Sequence, residues 1–225
     1  MLPEVNLRVI WQLVCLCLVL FIHSATAKPL QIATSLSDSR ELSQPIARLL
    51  QQAYAEIGLQ ITVVPLPAGR SLRMANQGLY DGELFRIGGL QSQFPNLLQV
   101  PVELRQLRLF AYVRADRTDN WQQWQHRKEL VIGHVRGFRL ATQQQFAGNR
   151  VETTTLQQAQ ELLLQGKIDL LLEDEWSLPA NRELQRLPEV LAQAGLFHYL
   201  HIRHQALMPA LMQALQRQLP AKKNP

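Results

Sequence analysis

Four places in this chain bring charged side chains to the end of an apolar run, where they could hold a charged small molecule. Gly82-Glu83-Leu84-Phe85-Arg86 carries an acid and a base three residues apart, and Leu170-Leu171-Leu172 runs into Glu173-Asp174-Glu175. Arg70-Ser71 opens a short helical stretch, and Arg136-Gly137-Phe138 forms a turn after an apolar strand. A guanidinium at a helix start is an anion site, because unpaired N–H groups point outward there. Arg86 and Arg136 suit a carboxylate, Asp174 and Glu83 suit an amine, and Phe85, Phe138 and Trp176 could wall the ligand. Each has a plain structural alternative. Glu83 and Arg86 could pair with each other, Ser71 could cap a helix beside a surface Arg70, Arg136 could be a solvated turn residue, and the aromatics could be core.

Other chemistry finds less support. His198, His201 and His204 are spaced by three, and successive members of such a set face opposite sides of a strand, so they do not converge on a metal without a bend. No Gly-x-Ser-x-Gly elbow and no phosphate-binding glycine loop occurs. The reading is of a chain with no cofactor, no metal and no catalytic set, which is to say a non-enzyme.

The elements that must position these residues are announced by a repeated phrase. Gln-Gly-x-x-Asp occurs at 77–81 and again at 165–169. Each time an apolar-striped helix ends at Gly and a strand follows Asp. Parallel strands of an open α/β sheet present groups to ligands at their C-terminal ends, so two such junctions predict two lobes with a cleft between them. Residues 30–34 read as a strand, Ile46, Leu49, Leu50, Ala53 and Ile57 as a helix with Ser43 near its start and Pro45 in its first turn, and 59–64 as a second strand. Residues 70–77 and 82–86 complete β-α-β-α-β, which forces parallel pairing. Two extended stretches, 97–102 and 107–114, lead to a polar break at 116–120. The plan then repeats: strand 130–135, helix 140–146, strand 151–153, a helical stripe through Leu156, Ala159, Leu162 and Leu163, and strand 168–173. Residues 176–195 are expected to hold short helices. A strand at 196–202 and a helix at 206–219 do not complete a lobe alone and are expected to return to the first. The expected division is 28–114 plus 195–225 as lobe 1 and 115–194 as lobe 2.

Residues 1–27 read as an export leader: Arg8, a mostly apolar run from 9 to 22, and small-x-small ending at Ala27. Cleavage there would start the mature chain at Lys28 and remove both cysteines, Cys15 and Cys17, so no disulfide framework is expected. The run is short for a membrane span. Losing Glu4 and Arg8 leaves the net charge at +5. The arginines are scattered rather than striped with aromatics, which argues against nucleic acid. The expectation is a monomeric periplasmic protein whose partner is a small molecule.

The chain resembles the extracellular solute-binding protein family 3, the type II periplasmic binding proteins that serve amino-acid importers. The residues that carry the resemblance are both helix-Gly-x-x-Asp-strand junctions, Pro67-x-x-Arg70-Ser71-Leu72 leading to Asp81-Gly82-Glu83, and Phe94-Pro95-Asn96-Leu97 before Leu109-Phe110-Ala111-Tyr112-Val113. The ending from Tyr199-Leu200-His201 through His204 to a Leu-rich helix completes it. The resemblance implies a two-lobed α/β fold, a ligand held between the lobes, and a membrane permease or membrane sensor as partner; the residues themselves offer Arg70, Ser71, Glu83, Arg86, Arg136, Phe138 and Asp174 as its contacts. Asp174 stands where that family places a carboxylate for a ligand amine. Two departures matter. The Thr-x-x-Arg phrase after the third strand is absent, with Arg86 arriving earlier beside Glu83, and Arg136-Gly137-Phe138 replaces the usual Gly-Thr/Ser of the second lobe. The resemblance therefore does not fix an α-amino acid as ligand. Some enzymes on this scaffold, the cyclohexadienyl dehydratases, use a cleft carboxylic acid, and Glu173 could serve so if burial raised its pKa. A sensor acting in trans is the third reading.

Overall fold

The computed structural model describes residues 28–35, 40–178 and 181–219. The expected leader, residues 1–27, lies outside the described residues. The order is β1 (Leu30–Ser35), α1 (Arg40–Glu56), β2 (Ile61–Leu66), α2 (Ala68–Asn76), β3 (Gly82–Ile87) and β4 (Leu97–Arg114). Then come β5 (Val131–Val135), α3 (Arg139–Thr142), β6 (Asn149–Thr153), α4 (Leu156–Leu164), β7 (Leu170–Asp174), β8 (Leu184–Arg186), β9 (Ala192–His201) and α5 (Met208–Gln218). The strands form one sheet in the order β2-β1-β3-β9-β4-β7-β5-β6, with β8 paired to β4. β1 pairs in parallel with β2 and β3, and β5 in parallel with β6 and β7. The long strands β4 and β9 run antiparallel between these two parallel sets. This is a two-lobed type II periplasmic-binding-protein fold, with helices on the sheet faces.

The helices form for the reason their stripes suggest. Leu42, Ile46, Leu50, Ala53 and Tyr54 of α1 are buried, and α1 packs on α5 through Leu211, Ala214 and Leu215. Removing one such side chain, as in Leu50→Ala, costs about 2–5 kcal/mol. The repeated phrase also has a physical content. Gly78 and Gly166 sit at φ +76 and +68, which only glycine adopts without strain, and they let the next residue's N–H bond back to Met74 O and Leu162 O. The Asp that follows then ties off the first strand of its half. Asp81 accepts from Gln31 N at 2.6 Å, and Asp169 accepts from Val131 N at 2.9 Å.

Several expected boundaries move. Helix α1 begins at Arg40, so Ser43 is inside it and Pro45 lies beyond its first turn, where a backbone hydrogen bond is forgone. The stretches 97–102 and 107–114 are one strand of 18 residues, with register shifts around Glu103 that a period-two reading takes for a break. The helix expected at 140–146 has only four residues. Residues 176–195 hold β8 and the start of β9 among the described residues, rather than short helices. A 3₁₀ turn, Ile202–Leu207, precedes α5.

Candidate functional site

A cavity of about 200 Å³ opens between the parallel set made by β1–β3 and the set made by β5–β7. It is smaller than the ~300–1,000 Å³ of drug-sized sites and scaled to a molecule of amino-acid size. Leu42, Leu72, Phe85, Leu107, Phe138 and Leu140 give it a mainly apolar wall. Five ionisable side chains reach it: Arg86, Arg136, Arg139, Glu173 and Asp174.

The tip of β3 is internally neutralised. On a regular strand Glu83 and Arg86 would face opposite sides, but the ladder with β9 shifts register between them, and the irregularity brings them together. Arg86 Nη2 lies 2.5 Å from Glu83 Oε1. Ser71 Oγ donates to the same Glu83 oxygen at 2.9 Å and accepts from Arg86 Nη2 at 3.0 Å. Ser71 and Glu83 are fully buried. Ser71 and Glu83 thus stand behind Arg86, which alone of the three lines the cavity.

The tip of β7 is built differently. Glu173 and Asp174 are both buried, and neither forms an ion pair with a base among the described residues. Burial pushes Glu173 well above the usual carboxylate range, reinforced by the Asp174 charge beside it. Burial also raises Asp174, against the pull of three donors: Trp176 N at 2.7 Å, Ser177 N at 2.9 Å and Ser177 Oγ at 2.6 Å. Asp174 N donates to Glu173 Oε1 at 3.0 Å, which works against the rise at Glu173. The Tyr112 hydroxyl fixes the strand end by donating to Asp174 O at 3.0 Å.

The turn after β5 supplies the remaining groups. Arg136 is largely exposed, and its Nε donates to Glu152 at 3.3 Å. Phe138 lines the cavity at the start of α3. Arg139, the first residue of α3, reaches across the opening and donates from Nη1 to Gln93 Oε1 at 2.6 Å. Its charge is felt at the Tyr199 phenol on β9, which burial raises to about 12. Arg139 Nε is buried without a hydrogen-bond partner among the described residues.

The structure thus brings Arg86, Arg136, Phe138 and Asp174 to the cavity, with Glu173 and Phe85 beside them. Arg70 does not reach it: the side chain is exposed and bonds to Met74 Sδ at 3.3 Å. Trp176 stacks under Arg105, whose Cζ lies 3.6 Å from the ring centroid, and does not line the cavity. His198 is buried between the Tyr54 hydroxyl at 2.8 Å and Leu84 O at 3.2 Å, while His204 pairs with Asp81 at 2.6 Å. The sequence reading passed over Arg139. The available signal was a second arginine three residues after Arg136, on the same turn.

No protein-family model and no curated protein sequence matches the chain. Solved structures do. The arginine-bound form of truncated ArgBP from T. maritima aligns at TM-score 0.68 and 11% identity, covering 84% of this chain and 96% of that one. The ancestral amino acid-binding protein AncCDT-1, a precursor of cyclohexadienyl dehydratase, aligns at TM-score 0.68 and 12% identity over 84% of this chain and 88% of that one. The periplasmic VFT2 domain of Bordetella pertussis BvgS aligns at TM-score 0.65 and 14% identity over 83% and 86%. The fold is the one found in solute-binding protein family 3.

Proposed function

We propose that this chain is a periplasmic binding protein that captures a small zwitterionic, amino-acid-like ligand between its lobes and presents it to a membrane partner, in the simplest case an ABC-type importer. The observation that carries the reading is the charge pattern of the cavity. Asp174 offers a buried carboxyl group, arginines stand on the facing and adjoining walls, and much of the remaining wall is apolar. Fold neighbours that bind arginine or amino acids support the ligand class. Among the described residues no helix is long and apolar enough to cross a membrane. On this reading residues 28–114 with 195–225 form one lobe and 115–194 the other, a division supported by the packing of α5 on α1. Ligand closes the lobes because it fits the closed arrangement better. A thermal-shift screen against amino acids, polyamines and small organic acids tests this. A binder at about 100 times its dissociation constant should add about 2.7 kcal/mol of stability. Failure of every compound to shift the transition would reject the reading.

One observation favours a second reading. Glu173 lines the cavity and burial raises its pKa, and a carboxyl group shifted in that direction can serve as a general acid. Its fold neighbour AncCDT-1 is a precursor of a dehydratase. Proton NMR of a bound compound after incubation separates the two: a binder returns it intact, and an enzyme returns product.

A further inference from the structure

We propose that Arg139 is the group that anchors the anionic end of the ligand, and that Gln93 steadies its guanidinium from the other side. This rests on the reading of the cavity as a ligand site and names the residue that selects for a carboxylate. Three arginines line the cavity, and their partners differ. Arg86 is engaged by buried Glu83, and Arg136 by Glu152. Arg139 has no carboxylate partner among the described residues. Its only side-chain partner there is the neutral Gln93 amide, reached by Nη1. Its buried Nε has no acceptor there.

A guanidinium presents Nε–H and one Nη2–H along one edge, in the spacing of two carboxylate oxygens, while Nη1 lies on the other side of the group. In Arg139 the Nε of that edge is unsatisfied, which is costly for a buried donor. A ligand carboxylate would satisfy it, and Gln93 on Nη1 holds the guanidinium in place to receive it. The position also suits closure. Arg139 starts α3 on one side of the cavity, and Gln93 follows β3 on the other. The hydrogen bond between them already spans the opening, so the guanidinium is held at the cavity with its Nε donor left unpaired. With Asp174 lining the same cavity, the site would read both ends of a zwitterion.

The test is isothermal titration of residues 28–225 with five probes: L-leucine, 4-methylpentanoate, 3-methylbutylamine, L-arginine and agmatine. They remove the carboxylate (3-methylbutylamine, agmatine) or the amine (4-methylpentanoate) from an otherwise constant body. The wild-type protein should prefer L-leucine over 3-methylbutylamine, or L-arginine over agmatine, by at least tenfold. Arg139→Gln should abolish that preference while leaving affinity for the amine within threefold. Gln93→Ala, which removes the support on Nη1, should weaken the carboxylate probes two- to fivefold. Arg139→Lys should restore only part of the preference, since an ammonium lacks the paired donor edge. If Arg139→Gln folds and keeps the carboxylate preference, the inference is overturned and the binding reading stands. If Arg139→Gln does not fold, an unchanged preference in both Arg139→Lys and Gln93→Ala overturns it. If none of the five probes binds at 10 mM, the reading and the inference fall together.

Discussion

The two Gln-Gly-x-x-Asp junctions are built alike, and the strands they launch end differently. In both, a left-handed glycine stops a helix and an aspartate caps the first strand of its half, with an arginine on its outer side: Arg203 for Asp81 and Arg117 for Asp169. Downstream, β3 folds its acid and base onto one another through an irregularity, whereas β7 buries two acids that form no ion pair with a base among the described residues. Buried histidines divide the same way. His198 is satisfied on both ring nitrogens, while His134 Nε2 has no hydrogen-bond partner among the described residues and lies 4.0 Å from Glu152. A duplicated scaffold element therefore does not imply a duplicated site. One tip supplies rigidity, and the other supplies charge left for something else to meet.

The sharpest way to break this contrast is Arg86→Ala. It removes the cation 2.5 Å from a fully buried carboxylate and should cost about 3–5 kcal/mol without ligand, read from urea unfolding. A loss of affinity with unchanged stability would show that Arg86 belongs to the ligand rather than to Glu83.

Acid and alkaline unfolding should differ between the tips. Burial lowers His198 from 6.5 to about 4. The unfolded chain then binds the extra proton first, so stability is full above pH 6.5 and falls as pH drops toward 4, by on the order of 3 kcal/mol. His198→Gln should remove that fall. Glu173 has the opposite sign. Its raised value makes its contribution full below the ordinary glutamate range and lost as pH rises, so Glu173→Gln should flatten the alkaline side of the profile. Denaturant melts from pH 4 to 9 check both.

The junctions themselves should rank. Asp81 holds Gln31 N, Arg203 and His204, and Asp81→Ala should cost about 3 kcal/mol. Asp169 holds Val131 N and Arg117, and Asp169→Ala should cost about 1.5 kcal/mol. Equal losses in thermal unfolding would mean that the outer partners add nothing. The smallest effect concerns the helices that feed the junctions. Thr155 caps α4 by accepting from Gln158 N at 3.1 Å, while α2 starts at Pro67 without a side-chain cap. Thr155→Ala should cost about 1 kcal/mol, and Pro67→Ser should recover some of the corresponding amount in α2.

The alternation of strands and helices was legible because it rests on local periodicity and on glycines that must be glycine. Strand β4 was not read whole, since Glu103 and Arg105 interrupt its apolar pattern where the register shifts. Strand β8 was missed because three residues carry no period. The pairing of Glu83 with Arg86 stayed open because spacing by three on a strand separates side chains, and only the irregularity opposite β9 joins them. Arg139 lies in a four-residue helix with no stripe, and its partner Gln93 is 46 positions away. Such a relation exists only in the folded chain. Burial of Glu173 was foreshadowed by the leucines before it, but its hydrogen bond from Asp174 N was not.

Strand β9 also governs when the molecule can finish folding. It lies between β3 and β4 in the sheet, yet among the described residues it is the last strand to be synthesised. Until residue 201 is available, the edges of β3 and β4 that it will cover are open, and neither can pair with the other across the space it fills. A growing chain is thereby kept from sealing its sheet early, and its slowest contacts are those of highest sequence separation. Ending the chain before residue 192 should leave two unprotected strand edges and a product that self-associates rather than a smaller stable protein.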